Sequence, residues 1–296
     1  MRVFERGWLS SNNVLFVGHC GTALVDSGYA SHAAQTLALV EHALGSRPLD
    51  LLVNTHLHSD HCGGNAALQK RYACRTAIPV AEAESVREWD DAALSFDATG
   101  QQCERFDFQA TLAPGDQIEL GDLQWQALGA PGHDPHSLIL YCPDKKILIS
   151  ADALWENGFG VIFPELDGES GFAETRATLE LIAGLDLRLV IPGHGAPFST
   201  VDAALQRAFS RIDYLAADPV RNAQNATKVL LKFLLLERQK IAVVEVPALL
   251  DGMRVFREAN RRFLQLPTAQ LAEWAVAQLV KVGAATVVNG EVFNRE

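Results

Sequence analysis

Residues 55–64 read Thr-His-Leu-His-Ser-Asp-His-Cys-Gly-Gly, directly after the apolar run 49–54. Four side chains able to bind a metal, His56, His58, Asp60 and His61, therefore crowd into six positions. On extended backbone His56 and His58, two residues apart, project to the same side, while Asp60 and His61 follow in the turn and face a second centre. Neutral imidazoles with a carboxylate suit zinc first, with iron or manganese as alternatives. A chain built on such a stretch must hold it at the rigid end of a strand.

Three further candidates sit at glycine- or proline-marked turns or strand ends: His133 after Pro131-Gly132, Asp152 in Ser150-Ala151-Asp152-Ala153, and His194 in Pro192-Gly193-His194-Gly195. Seven ligands suffice for two divalent metal ions. Around them, 13–18 and 21–28 read as a hairpin, 33–44 as a helix, 49–54 as a short buried strand, 77–80 as a strand and 82–89 as a helix. Residues 90–112 are weakly patterned. Strands follow at 117–120, 123–128, 137–142 and 146–150, then a helix at 172–183 and a strand at 187–191. Strands then helix thus occurs twice, and each sheet must cover an apolar face, so an α/β (α+β) four-layer αββα sandwich is expected over residues 1–200. The ligands would lie on loops at one edge of it.

After Gly195 the strand signals stop. Helices at 201–216, 222–239 and 268–281, the last capped by Thr268, precede a hairpin turning on Asn289-Gly290, which predicts a smaller winged-helix-like helical domain over 201–296. The run at 229–236 is too apolar for a helix wet on one whole face, so it is a buried core helix or part of a homodimer interface.

Charge narrows the partners. The net charge of -11 divides into -14 over residues 1–199 and +3 over 200–296. An acidic first part repels polyanions, so nucleic acid is disfavoured as a partner, although a mildly basic tail leaves that route open. No apolar run reaches the roughly 18–20 residues of a membrane span. The first six residues include an acid and lead into no apolar signal region, so a cytoplasmic protein without a membrane partner is expected. Five scattered cysteines, Cys20, Cys62, Cys74, Cys103 and Cys142, form no CxxC and read as reduced thiols.

The order HxHxDH, His, Asp, His over residues 56–194 resembles the metallo-β-lactamase-fold superfamily. That resemblance implies His56, His58 and His133 on one metal, Asp60, His61 and His194 on the other, and Asp152 bridging both. It further implies a dinuclear metal-dependent hydrolase using a metal-bridging hydroxide, with Asp60 also orienting that hydroxide and no protein nucleophile. Asp152 looks more like glyoxalase II and related thioester hydrolases, lactonases and nucleases than like true zinc β-lactamases, and among these a small-molecule acyl substrate with a thioester or ester bond is the leading reading. The glutathione-binding pattern of glyoxalase II has no match after His194. The tail instead resembles the winged-helix extension of some lactamase-like hydrolases, including RNA endonucleases. A phosphodiester nuclease, a lactonase or β-lactam hydrolase, a mononuclear iron persulfide dioxygenase and a non-catalytic metal-stabilised binding module are the alternatives.

Several neighbours carry two readings each. His136, in Gly132-His133-Asp134-Pro135-His136, contacts substrate or donates a proton, or is simply solvated. Cys62 is a small buried hydrophobe or a thiolate beside the metals. Asp26 resembles the family acid that orients a ligand, and otherwise caps a turn. Trp155, Phe159 and Phe163 wall the substrate or pack the core. Arg254, Arg257, Arg261 and Arg262 form a solvated face or a phosphate clamp.

Overall fold

A computed structural model describes residues 1–19 and 21–295; Cys20 lies outside the described residues. One sheet runs in the order β1 (Arg2–Phe4), β2 (Asn13–Val17), β3 (Thr22–Val25), β4 (Leu51–Val53), β5 (Arg75–Pro79), β6 (Ala110–Leu112). Its first three strands are antiparallel and the rest parallel, with β4 running beside β3 through the pair Val25 and Val53. The second sheet contains β7 (Gln117–Leu120), β8 (Leu123–Gly129), β9 (Leu138–Cys142), β10 (Ile147–Ala151) and β11 (Leu189–Pro192), of which only β10 and β11 pair in parallel.

The two-residue period of a strand sorts side chains between layers. Val14, Phe16, Val25 and Val53 point inward to meet Trp125, Leu140, Ile149 and Ile191 of the second sheet. Their immediate neighbours Leu15, Leu24 and Leu52 point outward and pack with Val40, Leu44 and Leu68 of the helices Ala33–Leu44 and Asn65–Tyr72. On the far side Ile139, Leu148 and Val190 meet Leu179 and Ile182 of the helix Phe172–Ala183 and Ile212 of the helix Val201–Ala216. Helix, sheet, sheet, helix is the expected sandwich. Each fully buried Leu or Val in these layers contributes about 1.5–3 kcal/mol of apolar transfer energy.

The stretch 90–112 is ordered by local capping rather than by periodicity. The Asp90 carboxylate accepts hydrogen bonds from the N–H groups of Ala92 and Ala93, starting the helix Asp91–Leu94. The helix Phe96–Thr99 and strand β6 follow.

In the tail, the helix Val220–Arg238 leads into β12 (Lys240–Ala242), then the helices Val246–Gly252, Arg254–Ala259 and Thr268–Lys281, and a hairpin of β13 (Ala285–Val288) and β14 (Glu291–Asn294). These strands form a sheet in the order β12, β14, β13. The helices and hairpin expected from sequence are there, with an added strand. Thr268 is not a cap: Pro267 holds that position, and the Thr268 hydroxyl donates to Asp251 at 3.4 Å. Leu230, Leu231, Leu234 and Leu235 build the tail core with Leu250, Phe256 and Leu279, and that core takes in Ala98, Val161 and Leu166 from the first part of the chain. Among the described residues no helix is long and apolar enough to cross a membrane.

Candidate metal centre

Each candidate ligand follows the C-terminal end of a strand, so one edge of the sandwich collects them all. Strand β4 leads through Asn54 and Thr55 to His56, and β8 ends four residues before His133. Strand β10 shifts register against β11 between Ile149 and Ala151. Such an irregularity bends the strand and re-aims the next side chain, here Asp152. Residues 59–62, expected as a turn, form a single helical turn, Ser59–Cys62, with extended backbone at His58 before it. That switch separates the two pairs in the motif. His56 and His58 stay on extended chain with ring centroids 4.7 Å apart, while Asp60 and His61 are carried to the other side.

Two groups result. His56, His58 and His133 converge in one, and Asp60, His61, Asp152 and His194 in the other, with the potential ligand atoms of each group within 4.8 Å of one another. His58 Nδ1 lies 3.1 Å from His56 Nε2 and 2.8 Å from His133 Nε2. Asp152 stands between the groups, Oδ2 at 3.3 Å from His133 Nε2 and Oδ1 at 3.4 Å from His61 Nε2. His194 Nε2 is 3.0 Å from Asp60 Oδ2.

The outward-facing nitrogens settle what faces inward. His133 Nδ1 donates to the Val161 carbonyl, which can only accept, so in the neutral ring Nε2 presents a lone pair to the centre. His61 Nδ1 lies 2.8 Å from the Asp26 carboxylate, so Nε2 is again left unprotonated in the neutral ring. That Nε2 is buried without a hydrogen-bond partner among the described residues and faces the Asp152 carboxylate. Two electron-rich atoms directed at each other in a dry site fit a cation between them. The backbone leaves room for the donors to converge. A Cβ on Gly193 would lie 2.2 Å from Asp152 Oδ1, and one on Gly160 would lie 2.4 Å from His133 Nδ1.

Electrostatics agree with this donor set at His56, His58, His133, Asp60 and Asp152. Burial, with the neighbouring imidazoles, lowers His56 well below its ordinary value and His133 to about 4. Burial lowers His58 as well. Asp152 would be raised by burial alone, yet His194 and His61 outweigh that and hold it well below the usual carboxylate range. Asp60 is held down in the same way by His61 and His194. His61 is the exception: burial opposes its charge, but Asp152, Asp26 and Asp60 together raise it well above its ordinary value, so this ring favours the protonated form and a metal would have to displace its Nε2 proton. Neutral imidazoles and ionised carboxylates are the protonation states in which these side chains bind metal.

The neighbours divide less evenly. Asp26, in left-handed backbone at φ 57°, accepts from the Thr55 N–H at 2.9 Å and the Thr55 hydroxyl at 2.8 Å as well as facing His61. His136 is exposed and does not line the pocket over the centre; its N–H donates to Asp134, and it is Asp134 that is buried, 3.7 Å from His58 Nε2. Cys62 is fully buried, with its thiol donating to the Leu57 carbonyl, and burial together with Cys103 raises it well above an ordinary thiol. Trp155, Phe159 and Phe163 all line the pocket, and Phe159 is at the same time core.

Several lining residues escaped the sequence reading, among them Trp8, Arg211, Val229 and Phe233. Trp8 stacks on His194, ring centroids 5.5 Å apart and nearly parallel, and meets Trp155 edge-on. Val229 and Phe233 show that the apolar helix has two apolar faces, one in the tail core and one over the centre. The only available signal was its excess apolar width. The arginine run makes no clamp: Arg254 pairs with Asp167, Arg261 and Arg262 with Glu258, and Arg257 donates to the Asp251 carbonyl.

Hydroxyacylglutathione hydrolase of Rhodopseudomonas palustris is 33% identical over 142 residues, 48% of this chain and 46% of that protein. The acyl-coenzyme A thioesterase of Homo sapiens is 30% identical over 181 residues, covering 56% of this chain and 62% of its own. The matched chain thus spans about half the length of the curated relatives. Among solved structures, a beta-lactamase domain protein from Burkholderia ambifaria superposes with a TM-score of 0.60 at 18% identity, covering 99% of this chain and 91% of that one. A metallo-beta-lactamase family protein from Thermus thermophilus gives 0.58 at 22% identity, with 96% and 94% covered. Residues 6–194 match the family model described as the metallo-beta-lactamase superfamily. With that match spanning well over half of the sequence, the chain belongs to the metallo-beta-lactamase superfamily.

Proposed function

We propose that this protein hydrolyses thioesters of small acyl groups with two divalent metal ions, zinc before iron or manganese, one held by His56, His58 and His133, the other by Asp60, His61 and His194, and both by Asp152. The observation that carries the reading is the buried, unpartnered His61 Nε2 facing Asp152 Oδ1 within a set of seven converging donors. The named activities of the hydroxyacylglutathione hydrolase and acyl-coenzyme A thioesterase relatives, both on thioesters, support the bond class.

Held by these residues, such cations would supply Lewis acidity and would lower the pKa of water to about 7, making hydroxide available at neutral pH. The chain's own residues do the rest. Asp60, kept ionised in its buried position, orients the attacking water through its carboxylate and accepts a hydrogen bond there. Asp26 and Val161 fix the rings of His61 and His133 from behind. Trp8, Trp155, Phe163 and Phe233 exclude bulk water and seat the acyl group. Cys62 is no covalent nucleophile, because its thiol is buried and held protonated.

We take residues 1–200 as the catalytic unit and 201–296 as the unit that walls its pocket, and place the reaction in a reducing compartment such as the cytoplasm, where Cys62, Cys74, Cys103 and Cys142 remain free thiols. An RNA substrate gains no support from the tail, whose arginine run is engaged within the chain. The test is a screen of metal-loaded protein against acyl-thioesters, lactones, β-lactams and RNA, beside metal analysis and the His56→Ala variant. Thioester turnover, about two metals per chain and a large loss in His56→Ala are expected. Less than about one metal per chain with full activity in His56→Ala would overturn the reading.

A further inference from the structure

Two cationic side chains, one on the pocket wall and one in the groove that adjoins it, have no ion-pair partner among the described residues. Arg211, from the helix Val201–Ala216, lies over the Phe159 ring with its guanidinium carbon 5.3 Å from the centroid and lines the pocket over the metal centre. Its Nε is buried and has no hydrogen-bond partner among the described residues. Glycine at 158 lets it settle there, since a Cβ at that position would come within 3.0 Å of Arg211 Cδ. Lys228, from the helix Val220–Arg238, lines the adjoining apolar groove and is half-buried, one turn beyond Asn225, which faces both spaces. Burial lowers the pKa of both groups, and the nearby Arg211 charge lowers Lys228 further.

Such an arrangement is costly unless something completes it. The chain has acids in excess, and Asp60 and Asp152 line the same pocket, yet none pairs with Arg211 or Lys228 among the described residues, whereas the buried Arg6 guanidinium is satisfied by Asn13, Thr36 and Gln35. A guanidinium and an ammonium sharing a partly dry wall repel each other and lack the hydrogen bonds that burial demands. An oxyanion from outside would supply both the charge and the acceptors, with the planar guanidinium suited to two oxygens at once.

We propose that Arg211 and Lys228 form an oxyanion-recognition site where the metal pocket opens into the adjoining groove, so that the substrate carries a carboxylate or phosphate group in addition to its thioester. Trp155, Val229 and Phe233, which line both the metal pocket and the groove, hold the apolar segment between the two. This rests on the thioester reading for its chemistry, but the anion site itself is defined by Arg211 and Lys228. The oxyanion belongs either to the acyl half or to the thiol half of the substrate.

The experiment compares kcat/KM of the zinc-loaded full chain on four thioesters: butyryl-N-acetylcysteamine, which is uncharged; succinyl-N-acetylcysteamine, with a carboxylate on the acyl half; butyryl-glutathione, with carboxylates on the thiol half; and butyryl-coenzyme A, with phosphates on the thiol half. At least one anionic ester should be preferred over the uncharged one by about tenfold or more, and Arg211→Gln should collapse that preference while Arg211→Lys restores part of it. Calorimetric titration of glutarate and of inorganic phosphate into the same protein should weaken in Arg211→Gln and Lys228→Gln at unchanged zinc content. If no ester is hydrolysed but the anion titration still depends on Arg211, the thioester reading fails and the anion site stands. An equal loss on all four esters in Arg211→Gln, or no anion preference with unaltered titrations, overturns the site. Should Arg211→Gln not fold, as judged by circular dichroism, Lys228→Gln carries both comparisons.

Discussion

His61 Nδ1 and Asp26 Oδ2 lie 2.8 Å apart behind the metal centre, and this contact decides which nitrogen of His61 faces the cation site. Asp26 is anchored in turn by the Thr55 N–H and hydroxyl, so the ring is held through a carboxylate that cannot swing. Asp26→Asn isolates the effect, because Asn tolerates the same left-handed backbone as Asp. Its amide nitrogen can only donate to Nδ1, which moves the ring proton to Nε2 and blocks the lone pair. Metal affinity should fall about 10- to 100-fold, measured by chelator competition, with the fold intact by circular dichroism. Unchanged affinity would show that Asp26 is a turn residue only.

Gly193 makes a second, steric prediction. With a Cβ placed 2.2 Å from Asp152 Oδ1 and 3.0 Å from His61 Cε1, Gly193→Ala must displace one of them. The expected outcome is protein that folds, with metal content per chain well below that of the parent by elemental analysis. Full metal loading would mean that Asp152 can move without cost, contrary to the packing around it.

How much of this was legible beforehand differs by residue. His56, His58, Asp60 and His61 could be read because their spacing is local, and His133, Asp152 and His194 because turn glycines or strand ends mark them. Asp26 was readable at the end of its strand. Trp8 and Arg211 were not: each reaches the pocket through tertiary packing, Trp8 against His194 far along the chain and Arg211 through Phe159. His136 misled because it is adjacent in sequence, whereas the backbone turns its neighbour Asp134 inward instead. The sandwich was readable because period two separates Leu15 from Phe16 and Leu148 from Ile149. The short helix Asp91–Leu94 was not, because it depends on one capping carboxylate and has too few turns to show a period.

Glu82 supplies a pH prediction. Glu82 is 5% exposed, and burial, aided by the Asp134 charge, raises its carboxyl from 4.5 to about 8. Between those values the folded chain keeps a proton that the unfolded chain gives up. Stability from this group is therefore greatest below about pH 4.5, falls by about 1.4 kcal/mol per pH unit through the window, and is flat above about pH 8. Glu82→Gln stays neutral throughout. The Tm difference, variant minus parent, should accordingly rise from pH 5 to pH 8, with metal effects cancelling in the comparison. Parallel Tm profiles would refute it.

The helix Val220–Arg238 allows its two faces to be tested separately. Leu235 is 0% exposed within the tail core, whereas Phe233, two residues earlier, lines the metal pocket and meets Tyr29 edge-on at 5.1 Å. Leu235→Ala leaves a cavity and should cost about 2–5 kcal/mol in denaturant unfolding. Its surviving folded fraction keeps the pocket wall, so KM for a thioester should change little. Phe233→Ala should do the reverse: a smaller loss of stability, since the ring is only partly buried, with KM raised several-fold because the acyl group loses its apolar wall. If both variants lose stability alike and neither shifts KM, the helix is core alone and the tail takes no part in holding substrate. If Phe233→Ala shifts KM at nearly constant kcat, the helix binds ground state and transition state equally, which assigns it to substrate seating rather than to the chemical step.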